Sequence, residues 1–242
     1  MEMIPQKIAV PKVQRAKKFA GTPMKGRPLT EEEFQRFLEA TPAVISRLER
    51  GTGLVAPSGK TRKDLGIVTD PKEWQFYFTG MWLSGLRLAE SLDFWWDRQD
   101  RLHLYNGMLR IYSENEKGNT DRLLPLTPDF TEFLNQVPKS QRTGRVFKVV
   151  PNFRTAATTI SRIASSIGEE AEIVVNPKTG KFASLHDFRR SFGDRWAMRV
   201  EATILMQLMR HENITTTLRY YDGRDARRLM DSLCGTFGGT PK

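Results

Sequence analysis

Arg87, Lys117, His186, Arg189, His211 and Tyr220 together supply two guanidinium forks, an ammonium, two imidazoles and a phenol. Guanidinium groups can grip two oxygens of a phosphate at once. An ammonium and an imidazole can move protons, and a phenolic oxygen can carry a covalent intermediate. Such a set can break and remake a phosphodiester without a metal. The residues fall in three short stretches: SGLRLAES (84–91), EKGNTDRLLPL (116–126) and LHDFRRSF…LMRHENITTTLRYY (185–221).

Each piece also has an ordinary structural reading. Arg87 follows Gly85 at a break between helices, and Glu90 lies one turn on, so the two form either a surface ion pair or a guanidinium held in place for a phosphate. Lys117 sits in a turn, where most lysines are simply solvated. His186 and Arg189, spaced i, i+3, border the apolar stripe Leu185, Phe188, Phe192 and Trp196, which predicts that both are anchored and half-buried. His211 ends the helix ATILMQLMR, where the helix dipole favours a cation. His103, between Leu102 and Leu104 in a strand, reads as structural, and Tyr220-Tyr221 alone reads as packing.

The elements that must position these groups are legible from pattern. Thr30 and Glu33 form a capping-box signature that opens a helix with Phe34, Phe37 and Leu38 inward. Residues 51–72 are turn-rich and read as a long loop. Helix resumes near Pro71 with Trp74, Phe78, Met81 and Trp82 as its stripe. Three short strands follow, RLHLY (101–105), MLRIYS (108–113) and RLLPL (122–126), with Asn106-Gly107 as a hairpin turn. Helices are expected near 128–136 and 151–167, then loop with at most a minor strand over 168–183. Ser184 and Asp187 open a helix to about 198, and further helices run over roughly 201–210, 214–221 and 224–234. The fold class is therefore α+β and mainly helical, with a small three-stranded antiparallel sheet.

Composition narrows the setting. The chain has 242 residues, 39% hydrophobic, with 14 Phe and 5 Trp, enough for a real core. Its one cysteine, Cys234, excludes an internal disulfide and cysteine-paired zinc sites. No stretch approaches the ~20 apolar residues of a membrane span, and the first residues lack an apolar signal core. The expected location is cytoplasmic. The net charge of +10 favours a polyanionic partner. The excess concentrates in residues 1–30, which hold seven Lys/Arg against Glu2 alone. Residues 1–29 carry four prolines and read as a basic arm or linker, either solvated or laid along a phosphate backbone. Residues 30–242 read as one domain.

Taken in order, the motifs resemble those of the tyrosine recombinases, the phage-integrase family. SGLRLAE resembles the first-arginine motif, EKGNTDRLLPL the hairpin-lysine motif, LHDFRRSF the HxxR motif, and LMRHENITTTLRYY the motif of the second histidine and the nucleophile. The tyrosine falls nine residues after that histidine, which selects Tyr220 over Tyr221. The resemblance spans about residues 28–225. Each motif is weak alone; the ordered set is specific. Arg210 stands where the family usually has glycine, and the family's N-terminal core-binding domain is expected to be absent.

The resemblance implies an integrase-like catalytic domain that cleaves and rejoins double-stranded DNA through a 3′-phosphotyrosyl link, with no cofactor. Tyr220 would be the nucleophile, Arg87 and Arg189 the phosphate ligands, and Lys117 the acid for the leaving 5′-oxygen. His186 would assist proton transfer, His211 would bond the phosphate, and Glu90 would orient Arg87. Lys17, Lys18, Lys25, Arg27, Arg190 and Arg219 are further candidate DNA contacts. The implied partners are DNA and further copies of the chain, as a homotetramer on paired sites, with the helix bearing Leu229, Met230 and Leu233 either exchanged between protomers or packed on its own domain. Two other readings stand beside this one: relaxation of supercoils in the manner of a type IB topoisomerase, and a non-catalytic DNA-binding protein using 201–221 as a helix-turn-helix.

Overall fold

In the computed structural model, the structure describes residues 26–49, 66–112, 122–150 and 153–221. Lys17, Lys18, Lys25, Lys117 and the expected helix over 224–234 lie outside the described residues. The chain runs α1 (Glu31–Glu49), α2 (Pro71–Ser84), α3 (Leu88–Leu92), β1 (Phe94–Trp95), β2 (Leu102–Tyr105), β3 (Met108–Ile111), β4 (Arg122–Pro125), α4 (Pro128–Asn135), a 3-10 turn at Lys139–Gln141, α5 (Phe153–Glu170), β5 (Val174–Asn176), β6 (Lys181–Phe182), α6 (Leu185–Ala197), α7 (Ala202–Met209) and α8 (Ile214–Leu218).

Local chemistry sets the helix ends. The Thr30–Glu33 box forms reciprocally: the Glu33 amide donates to Thr30 Oγ1 at 3.1 Å, and the Thr30 amide donates to Glu33 Oε2 at 2.9 Å. Asp70 caps α2 by accepting from the Lys72 amide at 2.9 Å, with Pro71 at the first turn. Gly85 ends α2 in the left-handed region at φ 59°, which frees the chain to turn into α3. Ser184 and Asp187 close the second box.

An aromatic cluster joins α1, α2 and α6. Phe34 stacks on Trp82 with centroids 4.3 Å apart, while Phe188 meets Phe37 edge-on at 4.8 Å. Phe188 also reaches Phe34, Phe78 and Trp82, so one α6 ring locks two other helices. The last expected stretch of the arm, Gly26–Leu29, is fastened to the body. Leu29 is in the core, its amide donates to Ser191 Oγ at 2.8 Å, and the Arg27 amide donates to the Val175 carbonyl at 3.2 Å.

The sheet differs from the expected three antiparallel strands. Its order is β1-β2-β3-β4, and the added strand β1 pairs parallel with β2 through Phe94–Leu102 and Trp95–His103. A two-residue strand is too short to carry an alternation, so pattern alone missed it. The β2–β3 turn is Asn106-Gly107 as expected, with both residues at positive φ, 48° and 74°. The 168–183 segment holds a two-stranded hairpin, β5–β6.

Phe188→Ala should cost about 3–5 kcal/mol of stability, because it empties the centre of the aromatic cluster. Chemical denaturation of wild type and variant checks this.

Candidate active site

Four of the six chemistry-bearing residues, Arg87, Arg189, His211 and Tyr220, come together; His186 stands on α6 one turn before Arg189, and Lys117 lies outside the described residues. Arg87 is the N-cap of α3. Glu90, at the third position of that helix, accepts from the Arg87 amide at 2.7 Å and from its Nη1 at 2.9 Å. Arg87 Nη2 donates to the Arg210 carbonyl at 2.6 Å, so the α2–α3 corner is tied to the end of α7. Arg189, on α6, makes the second tie. Its Nη1 donates to the Gly85 carbonyl at 2.5 Å and its Nη2 to the Met209 carbonyl. Arg189 is 7% exposed, whereas the Arg87 side chain is 43% exposed. Both keep N–H donors without a partner among the described residues.

His211 follows directly. Its Nδ1 lies 2.8 Å from Thr217 Oγ1, and its ring stacks on Tyr220 with centroids 6.2 Å apart and planes at 14°. If the threonine hydroxyl donates, Nε2 carries the proton and can donate to an incoming oxyanion. Tyr220 is buried, and its hydroxyl has no hydrogen bond among the described residues. Tyr221 differs: its hydroxyl donates to the Val200 carbonyl at 2.6 Å. Geometry thus agrees with the nine-residue spacing in leaving Tyr220 as the phenol available for reaction.

His186 departs from expectation, since it is exposed, not half-buried. It sits in the first turn of α6 on the side away from the aromatic cluster, while Arg189, one turn on, is drawn inward by the two carbonyls. Arg190 and Arg27 are also committed. Arg190 is 8% exposed and paired with the fully buried Asp187, which also binds Lys181 at 3.1 Å and the Ser184 amide and hydroxyl at 3.0 and 2.6 Å. Arg27 pairs with Glu33. Arg219 stays exposed.

The charges shape every titration here. Burial pushes the Glu90 carboxyl up, but Arg210 and then Arg189 outweigh it and hold the group at about 2. Burial and then Arg210 bring Arg189 down to about 9. His211 is brought down to about 4 by desolvation first, then by Arg189, Arg87 and Arg210. Desolvation first, and then three guanidinium charges, therefore act against the cation that the helix dipole would favour at His211. His186, although exposed at its surface, is lowered as well, by desolvation first and then by Arg190 and Arg189. Burial raises the Tyr220 phenol, with Arg189 and Arg190 pulling the other way.

Sequence reasoning missed three positions. Thr217, fully buried, sets the His211 ring; it is one of three consecutive threonines, so nothing in its type singled it out. Gly193 gives Tyr220 its seat: a Cβ there would lie 2.6 Å from Met209 Sδ and 2.7 Å from a Tyr220 ring carbon. Arg210 was noted only for its backbone. That backbone does take the left-handed form a glycine favours, at φ 53° and ψ 44°, and an L-residue does so at a cost of about 1–2 kcal/mol. The geometry is kept although the residue is changed.

The fold and this gathering of arginines, histidines and one available tyrosine define an integrase-type catalytic domain. The chain belongs to the phage integrase family, whose model matches residues 57–227. It is 25% identical over 211 residues to the tyrosine recombinase XerD of Lacticaseibacillus casei, covering 81% of this chain and 64% of that protein. The chain thus spans somewhat under two thirds of that relative's length. Its fold is similar to that of the Tn1549 transposon integrase in complex with a circular intermediate DNA, at a TM-score of 0.51 and 18% identity over 85% of this chain and 65% of that one. A lambda integrase dimer bound to a COC′ core site gives a TM-score of 0.50 and 14% identity, over 80% and 58% of the two chains.

Two outcomes are expected. Gly193→Ala should displace the Tyr220 ring and cost about 1–3 kcal/mol of stability, with a loss of tyrosine reactivity larger than that of a neutral surface change; denaturation and phenol-directed labelling read both. His211, neutral when folded down to about pH 4, takes up its proton earlier when unfolded, near its ordinary 6.5. Its contribution is full above that value and is lost as pH falls toward about 4. Melting temperature should therefore drop less steeply over this window in His211→Gln than in wild type.

Proposed function

We propose that this protein is a site-specific DNA recombinase that cleaves and rejoins double-stranded DNA through a 3′-phosphotyrosyl intermediate. The observation that carries the reading is the Arg189 bridge between the Gly85 and Met209 carbonyls. With Arg189 itself, it brings Arg87, His211 and Tyr220 from three separate motifs to one place.

In the forward step the Tyr220 oxygen forms a bond to phosphorus while the bond from phosphorus to the 5′-oxygen breaks. The phenol proton leaves toward His186, and Lys117 supplies a proton to the departing 5′-oxygen. The phosphodiester is exchanged for a phosphotyrosyl ester, so the bond energy is retained and no ATP or metal is required. A 5′-hydroxyl of a partner strand reverses the step. Arg87 and Arg189 offer their remaining N–H donors to the non-bridging oxygens, and His211 donates through Nε2. Three guanidiniums, Arg210 included, face one carboxylate, which leaves a positive surplus where the transition state gathers negative charge.

Among the candidate DNA contacts, exposed Arg219 is suited to a phosphate, while Arg190 and Arg27 act as internal braces. Lys17, Lys18 and Lys25 complete the reading as an arm along the backbone. We assign the working assembly as a homotetramer on paired sites, with the segment bearing Leu229, Met230 and Leu233 exchanged between protomers, and its place as the cytoplasm, on DNA. No described helix is long and apolar enough to cross a membrane.

Covalent trapping tests the chemistry. Supercoiled DNA carrying the sequence that flanks the gene is incubated with wild type, Tyr220→Phe or Tyr221→Phe and quenched with SDS. An adduct lost only in Tyr220→Phe is expected, with DNA affinity retained. An adduct surviving in Tyr220→Phe would refute the assignment. Arg87→Ala or Arg189→Ala should slow adduct formation roughly 10²–10³-fold.

A further inference from the structure

Arg210 is 3% exposed and engaged through all three of its guanidinium nitrogens. Its Nε donates to Glu90 Oε1 at 3.1 Å and its Nη2 to Glu90 Oε2 at 2.7 Å, a two-pronged grip on the carboxylate. The same Nη2 reaches the Gly85 carbonyl at 3.2 Å, and Nη1 donates to the Leu208 carbonyl at 2.9 Å. Four of its five N–H donors are used in this way. Its own carbonyl accepts from Arg87 Nη2 at 2.6 Å. Arg210 therefore meets Arg87 twice, once through Glu90 and once through its backbone, and it shares the Gly85 carbonyl with Arg189.

We propose that Arg210 is a positioning residue that fixes the direction in which Arg87 presents its guanidinium to the scissile phosphate, by clamping Glu90 in a single orientation. This rests on the recombinase reading above. Arg210 is not a direct phosphate ligand, because it is buried and all but one of its N–H donors are spent within the protein. Without Arg210, Glu90 Oε2 keeps the Arg87 amide, but Oε1 is left to Arg87 Nη1 alone, and the 43% exposed Arg87 side chain loses the fixed acceptor that sets its direction. The left-handed backbone is part of the device: it places the Arg210 carbonyl toward Arg87 while the side chain doubles back to Glu90.

Arg210→Gly isolates the side chain, since glycine accepts the left-handed backbone without strain. Single-turnover adduct formation at saturating DNA should fall about 10–100-fold, with DNA affinity changed less than about 3-fold, because a misplaced ligand costs rate more than binding. Arg210→Lys should not rescue, since one ammonium cannot grip both Glu90 oxygens and the Gly85 carbonyl. Glu90→Gln and Arg210→Gly should be non-additive, because both act through the same contact. A readout free of catalysis completes the test: the Arg87 side-chain Nε–H resonance, identified by its loss in Arg87→Lys, should shift or broaden in Arg210→Gly. Wild-type rates in Arg210→Gly, or multiplicative loss with Glu90→Gln, would overturn the proposal. If wild type forms no adduct yet the Arg87 resonance moves in Arg210→Gly, positioning stands and the recombinase reading fails; if that resonance is unmoved, positioning fails too. Should Arg210→Gly fail to fold, the same resonance and rates in Arg210→Lys decide the matter.

Discussion

The structure depends on orphaned carbonyls at two helix C-termini that face each other. A helix leaves its last carbonyls without intrahelical partners and at the negative end of its dipole. The exit from α2 at Gly85 and the exit from α7 at Leu208, Met209 and Arg210 lie close enough for guanidiniums to fill the space between. Arg189 spans both ends from α6, Arg87 reaches across from α3, and Arg210 turns back on itself. Carbonyls that would otherwise be unsatisfied thereby become the mounting for a cluster of positive charge. The same bonds that complete the fold orient the donors left over for a phosphate.

Such a cluster could not persist without Glu90. Its carboxylate stays ionised at about 2 despite burial, and it accepts from both Arg87 and Arg210. One carboxylate does not neutralise three guanidiniums, so the remainder is felt nearby. Burial first, and this surplus after it, bring His211 down to about 4 and Arg189 down to about 9. A phosphate entering the site would relieve this repulsion, which means that ligand binding and the protonation of His211 are linked: the anion raises what the arginines lowered. The cluster is left with an excess of positive charge, at a stability cost set against the aromatic core that holds α1, α2 and α6 together.

Much of this was legible in the residues. The two capping boxes, the Asn106-Gly107 turn and the helix break at Gly85 are local codes, and each formed as read. The ordered motifs pointed to Arg87, Arg189, His211 and Tyr220, which the fold brings close together. Two things were not legible, for different reasons. The strand at Phe94–Trp95 is too short to carry a pattern, and the clamp by Arg210 depends on a partner 120 residues away. Arg190 illustrates the limit: as a basic residue beside a motif it suited DNA, yet its nearest carboxylate, Asp187, is buried at the start of its own helix and claims it.

Two adjacent tyrosines with the same chemistry end up with different fates because of a short helix. α8 covers only Ile214–Leu218, and the tight turn that follows, with the Tyr220 amide donating to the Thr217 carbonyl at 2.9 Å, sends the two rings in different directions. Tyr221 meets the unsatisfied Val200 carbonyl beyond α6, and its hydroxyl is spent there. Tyr220 turns over Gly193, the one α6 position bare enough to admit a ring, and lies flat against His211. Thr217 joins the two events, since its backbone carbonyl fixes the turn while its hydroxyl fixes the histidine. The nine-residue interval from His211 to Tyr220 is thus the length of one short helix and its turn. A one-residue deletion within it would bring Tyr221 to the place of Tyr220, and a one-residue insertion would bring Arg219 there.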